Sequence, residues 1–196
     1  MDAQKGLKEL IFTIENCLEC YKKFKNYPKE DRIRFREWYN QGPWFFPPCR
    51  NVRGFLGDGK VIFVCERPST GTFPSKADKV FYEHIEKFNE HTEKYGLGDA
   101  HITDLVKCRG RAGKLEDRMV RNCFPYLEQE IEILKPKLIV SVGRNVKRIL
   151  KEKMANKEIE IERITHYAYR FGDRDKKLRE DFNRLKEKIT KIMEKK

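Results

Sequence analysis

The sequence predicts an α/β fold in which a parallel β-sheet lies between helices. Two short, continuous apolar runs bounded by turn residues, KVIFVC at 60–65 and LIVSV at 138–142, are typical of fully buried strands. Further strands are predicted at 100–106 and 159–164. Helical patterns separate the four runs, and strands that alternate with helices pair in parallel with helices on both faces of the sheet.

The helices are predicted from apolar residues spaced three and four apart. The clearest case is the end of the chain, where Leu178, Phe182 and Leu185 lie on one face of a helix. Prolines mark where helices stop, as Pro136 does for the long helix before the third strand. In chain order, helices are expected at 7–17, 29–40, 77–95, 115–134, 144–150 and 178–192, with an irregular aromatic loop at 44–46.

Length and composition restrict the class of protein. The 196 residues predict one domain with an N-terminal helical and aromatic extension (1–56), a core (57–170) and a C-terminal helix (171–196). The net charge of +12 favours a polyanionic partner, with nucleic acid first. No apolar stretch approaches the roughly 20 residues of a membrane span and no signal-peptide pattern is present, so we expect a cytoplasmic protein. With a nucleic-acid partner it would be nucleoid-associated, and a monomer is the default expectation. Abundant Lys and Glu favour a thermophilic source.

Four of the six cysteines form two pairs. Cys17 and Cys20 make a C-x2-C motif, and Cys108 and Cys123 lie further along the chain. In a reducing cytosol such clusters more often bind metal than form disulfides. Two converging pairs suit a tetrahedral zinc ion or a [4Fe–4S] cluster, and the spacing leaves both open, beside the alternative of four small buried hydrophobic residues.

The two other cysteines have weaker signals. Cys65 ends the first predicted strand and is expected in the core, whereas Cys49 lies in a proline-rich loop and stays unassigned. A disulfide between the two is an alternative.

In a parallel sheet, ligands bind at the carboxyl ends of the strands. The residues that follow the predicted strands are therefore candidates for the chemistry, together with one acidic residue inside the second strand. They are Glu66, Pro68 and Ser69 after the first strand, Asp104 in the second, Arg144 after the third and His166 after the fourth.

A basic segment follows the second strand. Between 107 and 121, six basic residues stand against Glu116 and Asp117, and the two cysteines Cys108 and Cys123 tether this loop. We expect the segment to contact phosphates rather than to be an ordinary solvated face. Its basic residues are Lys107, Arg109, Arg111, Lys114, Arg118 and Arg121.

Several segments together resemble the iron–sulfur uracil-DNA glycosylases, family 4 of the uracil-DNA glycosylase superfamily. ITDLVKCR at 102–109, CFPYLE at 123–128 and KPKLIVSVGR at 135–144 are similar to that family's TNVVKCRP, CRPYL and KPK-apolar-GR segments. The N-terminal C-x2-C occurs there as well, and HYAY at 166–169 matches the family's His-Pro-x-Tyr motif at three of four positions. The resemblance covers most of the chain from 17 to 170.

The resemblance implies a fold, a reaction and a cofactor. The fold would be a three-layer α/β/α sandwich with a four-stranded parallel sheet. The reaction would be hydrolysis of the N-glycosidic bond of a deaminated or damaged base in DNA, uracil by default, in base-excision repair. The cofactor would be a structural [4Fe–4S] cluster on Cys17, Cys20, Cys108 and Cys123, with zinc as the alternative occupant.

Base excision needs an extruded base, a stabilised leaving group and a placed water. Glu66 is the candidate that orients or deprotonates the water, and His166, as a neutral donor, the one that stabilises the pyrimidine O2. Phe73 would stack on the base, as in the mismatch-specific branch of the superfamily that the segment 69–74 resembles. Arg170 or Phe171 would enter the duplex gap that the base leaves.

The sequence also departs from the family pattern. The family's GEAPG motif is CERPS at 65–69, and the stretch between Cys20 and the first strand is longer than in the family. Asp104 replaces an Asn that accepts from uracil N3–H and donates to O4. An ionised Asp only accepts and suits a base with an amino group, whereas a protonated Asp mimics Asn. Asp104→Asn is therefore expected to increase uracil excision.

Two other interpretations remain at this level. One is a nucleic-acid-binding protein on the glycosylase scaffold whose altered pocket no longer catalyses a reaction. The other is a zinc-bound nucleic-acid module of a different α/β family.

Overall fold

The computed structural model describes residues 2–20, 26–38, 41–69, 79–109, 115–169 and 171–194. These ranges contain four strands and six α-helices, each within a few residues of its predicted bounds. The elements are α1 (Ala3–Glu15), α2 (Lys29–Trp38), β1 (Val61–Cys65), α3 (Lys79–Lys94), β2 (His101–Asp104), α4 (Asp117–Leu134), β3 (Leu138–Val142), α5 (Arg144–Lys153), β4 (Glu160–Ile164) and α6 (Arg174–Glu194).

The four strands form one parallel sheet in the order β2–β1–β3–β4. Cys65 pairs with Asp104 across β1 and β2, and Val142 pairs with Ile164 across β3 and β4. From β1 the chain moves to β2 on one side, then returns to β3 on the other side of β1. The loops that leave β1 and β3 therefore diverge, and such a switch point opens a crevice at the carboxyl edge of the sheet.

Helices cover both faces of this sheet, which confirms the predicted three-layer α/β/α architecture. Apolar residues of α1, α4 and α5 pack on the face that carries Ile62 and Val64. Apolar residues of α3 and α6 pack on the face that carries Phe63 and Val140. Because the strands are buried on both faces, their sequences are continuous apolar runs rather than alternating ones.

The aromatic loop of the N-terminal extension belongs to the core. Trp44 and Phe46 are buried with their ring centroids 4.8 Å apart, and the backbone N–H of Trp44 donates to the backbone carbonyl of Lys107. Phe55, in the short 3-10 helix Gly54–Leu56, packs edge-on against His101 of β2. The extension thus covers β2, which explains why every residue of this edge strand is buried.

None of the helices in the described ranges combines the length and the apolar character needed to cross a lipid bilayer.

Candidate active site

The loops at the switch point enclose a cleft of about 530 Å³. Its walls come from the residues after β1, the turn between β3 and α5, and the loop after β4. Gly143, at the end of β3, has a φ of 103°, which favours glycine and lets the strand pass directly into α5. The lining residues are Glu66, Arg67, Pro68, Ser69, Arg109, Val142, Gly143, Arg144, Asn145, Val146 and His166.

Glu66 supplies a carboxylate at one side of this cleft. The amide of Asn145, on the first turn of α5, donates a 2.7 Å hydrogen bond to its Oε2. Only one of the two carboxyl oxygens takes part in that bond, so Oε1 remains to accept from a molecule in the cleft. Pro68 is buried and Ser69 exposed in the loop that continues from this carboxylate.

His166 supplies a neutral imidazole at the same cleft. Burial lowers its pKa, Glu66 opposes this shift, and the His84 charge adds to it. Nδ1 accepts a 3.0 Å hydrogen bond from the backbone N–H of Ala168, so the proton of the neutral ring is on Nε2. The backbone N–H of the preceding residue, Thr165, donates a 2.6 Å hydrogen bond to the carboxylate of Asp181 on α6. The fold therefore fixes both the position and the tautomer of the imidazole.

The predicted DNA contacts divide into several groups. Arg109 and Arg144 line the cleft, where the N-terminus of α5 also contributes positive potential. Phe171 is 75% exposed at the end of the loop that carries His166. The predicted base-stacking, phosphate-binding and gap-filling residues that lie outside the described ranges are Phe73, Arg111, Lys114 and Arg170.

The prediction that Lys107 contacts phosphate is wrong. Its side chain is buried, with 1% exposure, because the ammonium pairs with a carboxylate in the interior. The ammonium is 2.7 Å from the Glu130 carboxylate, and it donates to the Thr103 hydroxyl at 2.7 Å and to the Asp104 carbonyl at 2.6 Å. Lys107 is thus a structural cation that ties the loop after β2 to α4.

Asp104 ends β2 without lining the cleft. It is buried, and neither carboxyl oxygen has a hydrogen-bond partner among the described residues. Burial raises its pKa well above the usual value, the Lys107 ammonium opposes this shift, and the charges of Glu130 and Glu66 add to it. The environment therefore favours the protonated carboxylic acid.

The Cys65 thiol and the Tyr167 hydroxyl, which lie near Asp104, are also neutral. Cys65 is opposite it on β1, and the buried Tyr167 hydroxyl is hydrogen-bonded to the Cys65 sulfur. Burial raises the pKa of both groups, and the charge of Asp104 adds to each shift. Cys65 is a core residue as predicted, and both it and Cys49 are free thiols, so the alternative of a disulfide between them is wrong.

The four paired cysteines lie within electrostatic range of one another. Burial raises the pKa of Cys108 well above its usual value, and each of the other three thiols adds to the shift. The same holds for Cys123, whose pKa is raised to about 11 by burial, with Cys17 and Cys20 contributing. In the described part of the chain, no three His, Cys, Asp or Glu side chains are close enough together to hold a single metal ion.

Sequence reasoning missed two polar residues that the structure brings to these sites. Asn145 follows β3 by three positions, and its place at the carboxyl edge of a strand was a usable signal. Arg36 is buried beside the Cys17 loop, where it bonds to backbone carbonyls. Nothing in a segment rich in Lys and Arg distinguishes it from its exposed neighbours.

Comparison with known proteins assigns the family. The family model of the uracil DNA glycosylase superfamily matches residues 53–190. The chain is 28% identical over 124 residues to a type-4 uracil-DNA glycosylase of Sulfurisphaera tokodaii, covering 61% of this chain and 56% of that protein. It is 41% identical over 61 residues to one of Pyrobaculum aerophilum, covering 31% of each chain. The chain thus spans between about one third and little more than half of the length of these relatives. On the extent of the family match, the chain belongs to the uracil DNA glycosylase superfamily.

Proposed function

We propose that this protein is a DNA glycosylase that hydrolyses the N-glycosidic bond of uracil in DNA, the first step of base-excision repair. The observation that carries the proposal is the pairing of a fixed carboxylate, Glu66, with a neutral imidazole, His166, across one cleft. Membership of the superfamily supports the reaction, and the similarity to type-4 uracil-DNA glycosylases supports the base.

The two groups divide the chemistry. Glu66 orients a water through Oε1 and accepts its proton as the water oxygen bonds to the sugar C1′. As the bond from C1′ to the base nitrogen breaks, positive charge on the sugar faces the carboxylate and negative charge collects on the base. His166 Nε2–H donates to the pyrimidine O2, where that negative charge develops. The products are the free base and an abasic site.

Positive groups at the mouth of the cleft would hold the DNA strand. Arg109 and Arg144 present guanidinium groups, which bind phosphate in a bidentate manner, and the first turn of α5 offers free backbone N–H groups. The exposed ring of Phe171 would fill the gap in the duplex once the nucleotide has left the stack.

We further propose that Asp104, which does not line the cleft but lies within electrostatic range of Glu66, acts as a neutral carboxylic acid and reads uracil as the family's Asn would once the base has entered. A protonated carboxyl offers one donor and one acceptor, which match uracil O4 and N3–H. Its two oxygens lack partners among the described residues, and a buried polar group without a partner costs about 1–3 kcal/mol. A uracil edge would remove that cost, whereas the amino group of cytosine would face an O–H donor.

The cysteine set supports a structural [4Fe–4S] cluster on Cys17, Cys20, Cys108 and Cys123. Four thiols from two remote segments suit such a cluster, and a cube of four irons holds its thiolates farther apart than a single zinc ion does. When bound, the cluster would cross-link the segment after α1 to the loop after β2. Donors near the sulfurs fit this assignment, among them the half-buried Asn122, whose amide lies 3.5 Å from the Cys20 Sγ.

Single-turnover base release from oligonucleotides tests the function. The panel carries uracil, hypoxanthine, xanthine, thymine or cytosine opposite each partner base, as duplex and as single strand, with alkali to reveal abasic sites. We expect release of uracil by the wild type and a loss of about 10²–10³-fold in His166→Ala, which removes the donor to O2.

The panel has two outcomes that contradict the proposal. Release of another base in preference to uracil would contradict the proposed role of Asp104 while retaining the glycosylase. Intact DNA binding without release of any base would instead indicate a binding protein on the glycosylase scaffold.

A further inference from the structure

Arg36 of α2 is a buried cation whose partners are backbone carbonyls. The residue is 2% exposed, and its guanidinium donates to the carbonyls of Glu15 at 2.9 Å and of Cys17 at 3.0 Å. These carbonyls lie where α1 ends, and the last carbonyls of a helix have no partner within the helix itself. One side chain from the long N-terminal extension thus fixes the entry to the C-x2-C motif.

The same guanidinium has a donor left over. The Nε–H of Arg36 is buried and has no hydrogen-bond partner among the described residues. Its positive charge acts on Cys108, whose pKa it lowers against the larger effect of burial. Arg36 is therefore bonded to the segment that carries Cys17 and lies within electrostatic range of Cys108, and its Nε–H is available to an acceptor that the described residues do not supply.

The other three thiols each have a donor nearby. The Asn122 amide donates to Cys20, and the Tyr126 hydroxyl donates to Cys17. The backbone N–H of Lys107 donates to Cys123. In iron–sulfur proteins, hydrogen bonds to the sulfurs orient the ligands of the cluster and set the reduction potential of the cluster.

We propose that Arg36 is a positioning residue for the cluster: it locks the loop of Cys17 and offers its free N–H and its charge to the cluster sulfur next to Cys108. This gives the extension between Cys20 and β1 a function, since α2 delivers the group that closes the cluster site. The inference rests on the cluster assignment proposed above, and not on the base that is excised.

The test uses full-length protein purified without oxygen. Wild type, Arg36→Met, Arg36→Lys and Arg34→Met are compared for iron and acid-labile sulfide per chain, for the rate at which a chelator bleaches the cluster, and for its midpoint potential. Arg34 is exposed on the same helix, so its variant removes an equal charge without touching the site. Circular dichroism reports whether each variant is folded.

We expect Arg36→Met to bleach about 10–100-fold faster than wild type, as removal of outer-shell partners weakens metal binding. Its midpoint potential falls, because a positive charge and a hydrogen bond near the sulfurs are lost. Arg36→Lys retains the charge but lacks the planar guanidinium fork that holds two carbonyls and directs a third N–H, so its potential stays nearer to wild type while bleaching remains about tenfold faster. Arg34→Met matches wild type.

The outcomes separate the two proposals. Wild-type protein that binds no iron would overturn the cluster assignment itself. Iron-loaded wild type with an Arg36→Met variant that matches Arg34→Met in bleaching rate and potential would overturn the role of Arg36 alone. If Arg36→Met does not fold, Arg36→Lys decides: faster bleaching supports the proposal and wild-type bleaching overturns it.

Discussion

The amide of Asn145 donates a 2.7 Å hydrogen bond to the Glu66 carboxylate across the switch point of the sheet. The bond joins the first turn of α5 to the loop after β1, two elements that the strand order brings together at the edge where the cleft opens. It fixes the plane of the carboxylate and leaves Oε1 to orient a water. Arg148, one turn further along α5, donates to the side-chain Oδ1 of Asn145 at 3.2 Å and thereby fixes which way the amide faces.

Asn145→Ala should slow base release without weakening DNA binding. A misplaced general base costs about 10²-fold in rate, so we expect a loss of about that size in the single-turnover rate at saturating protein. Arg148→Ala keeps the amide and removes only the contact that orients it, so its loss should be smaller. A wild-type rate in Asn145→Ala would mean that this hydrogen bond does not position Glu66.

The buried pair of Lys107 and Glu130 should contribute to stability rather than to DNA binding. Burial opposes ionisation of Glu130, but Lys107 and His101 outweigh it and lower the pKa of the carboxyl. Loss of one partner leaves a buried charge, so Glu130→Gln should lower the free energy of unfolding by about 3–5 kcal/mol. Denaturant titration measures this change.

The control for that pair lies on the same helix. Glu128, also on α4, is 3.3 Å from the ammonium of Lys157, and both side chains are about one-third exposed. Glu128→Gln should therefore change the free energy of unfolding by no more than about 1 kcal/mol. Equal losses in the two variants would show that the Lys107 pair is no more important than a surface pair.

Asp104→Asn should change the pH dependence of uracil release. Because the folded-state pKa of Asp104 is raised, the wild type holds the neutral acid at low pH and loses it as pH rises through that pKa. Above it, the wild-type rate should fall about tenfold per pH unit, while Asp104→Asn, which has no proton to lose, stays level. Uracil release by the variant should thus exceed that of the wild type, most of all in alkali.

Stability provides a second measurement for the same residue. The folded state retains a proton that the unfolded chain releases near pH 4, so wild-type stability falls as pH rises from there to the raised pKa. Asp104→Asn removes this dependence, and the midpoint of thermal unfolding of the variant should gain on that of the wild type with rising pH. If the wild type and Asp104→Asn gave parallel pH profiles, both in rate and in stability, Asp104 would not be protonated.

Phe171→Ala should affect duplex DNA and spare single strands. The exposed ring can fill the space of an extruded nucleotide, and extrusion costs a few kcal/mol only when the base is stacked and paired. We expect a loss of about tenfold or more in uracil release from duplex substrate. Phe12→Ala, which removes an equally exposed ring on α1, is the control. An equal loss on single strands would contradict a role in the duplex.

The sequence predicted the sheet, the helices and the positions of Glu66 and His166, because buried parallel strands leave unbroken apolar runs and ligands bind where those runs end. It could not show that Lys107 is buried, since its partner Glu130 lies a helix away in the chain. The same limit applies to Arg36, whose partners are backbone carbonyls and leave no mark in the sequence. Asn145 could have been predicted as a site residue, because it too follows a strand.

The Glu66→Gln variant tests the central claim most directly. Glutamine keeps the size of the side chain and an oxygen for Asn145, and removes only the charge and the base. The account predicts release of uracil by the wild type in a single turnover and a rate about 10²–10⁴-fold lower in Glu66→Gln, with DNA binding intact. Equal rates in the two proteins, or no release by the wild type, would contradict it.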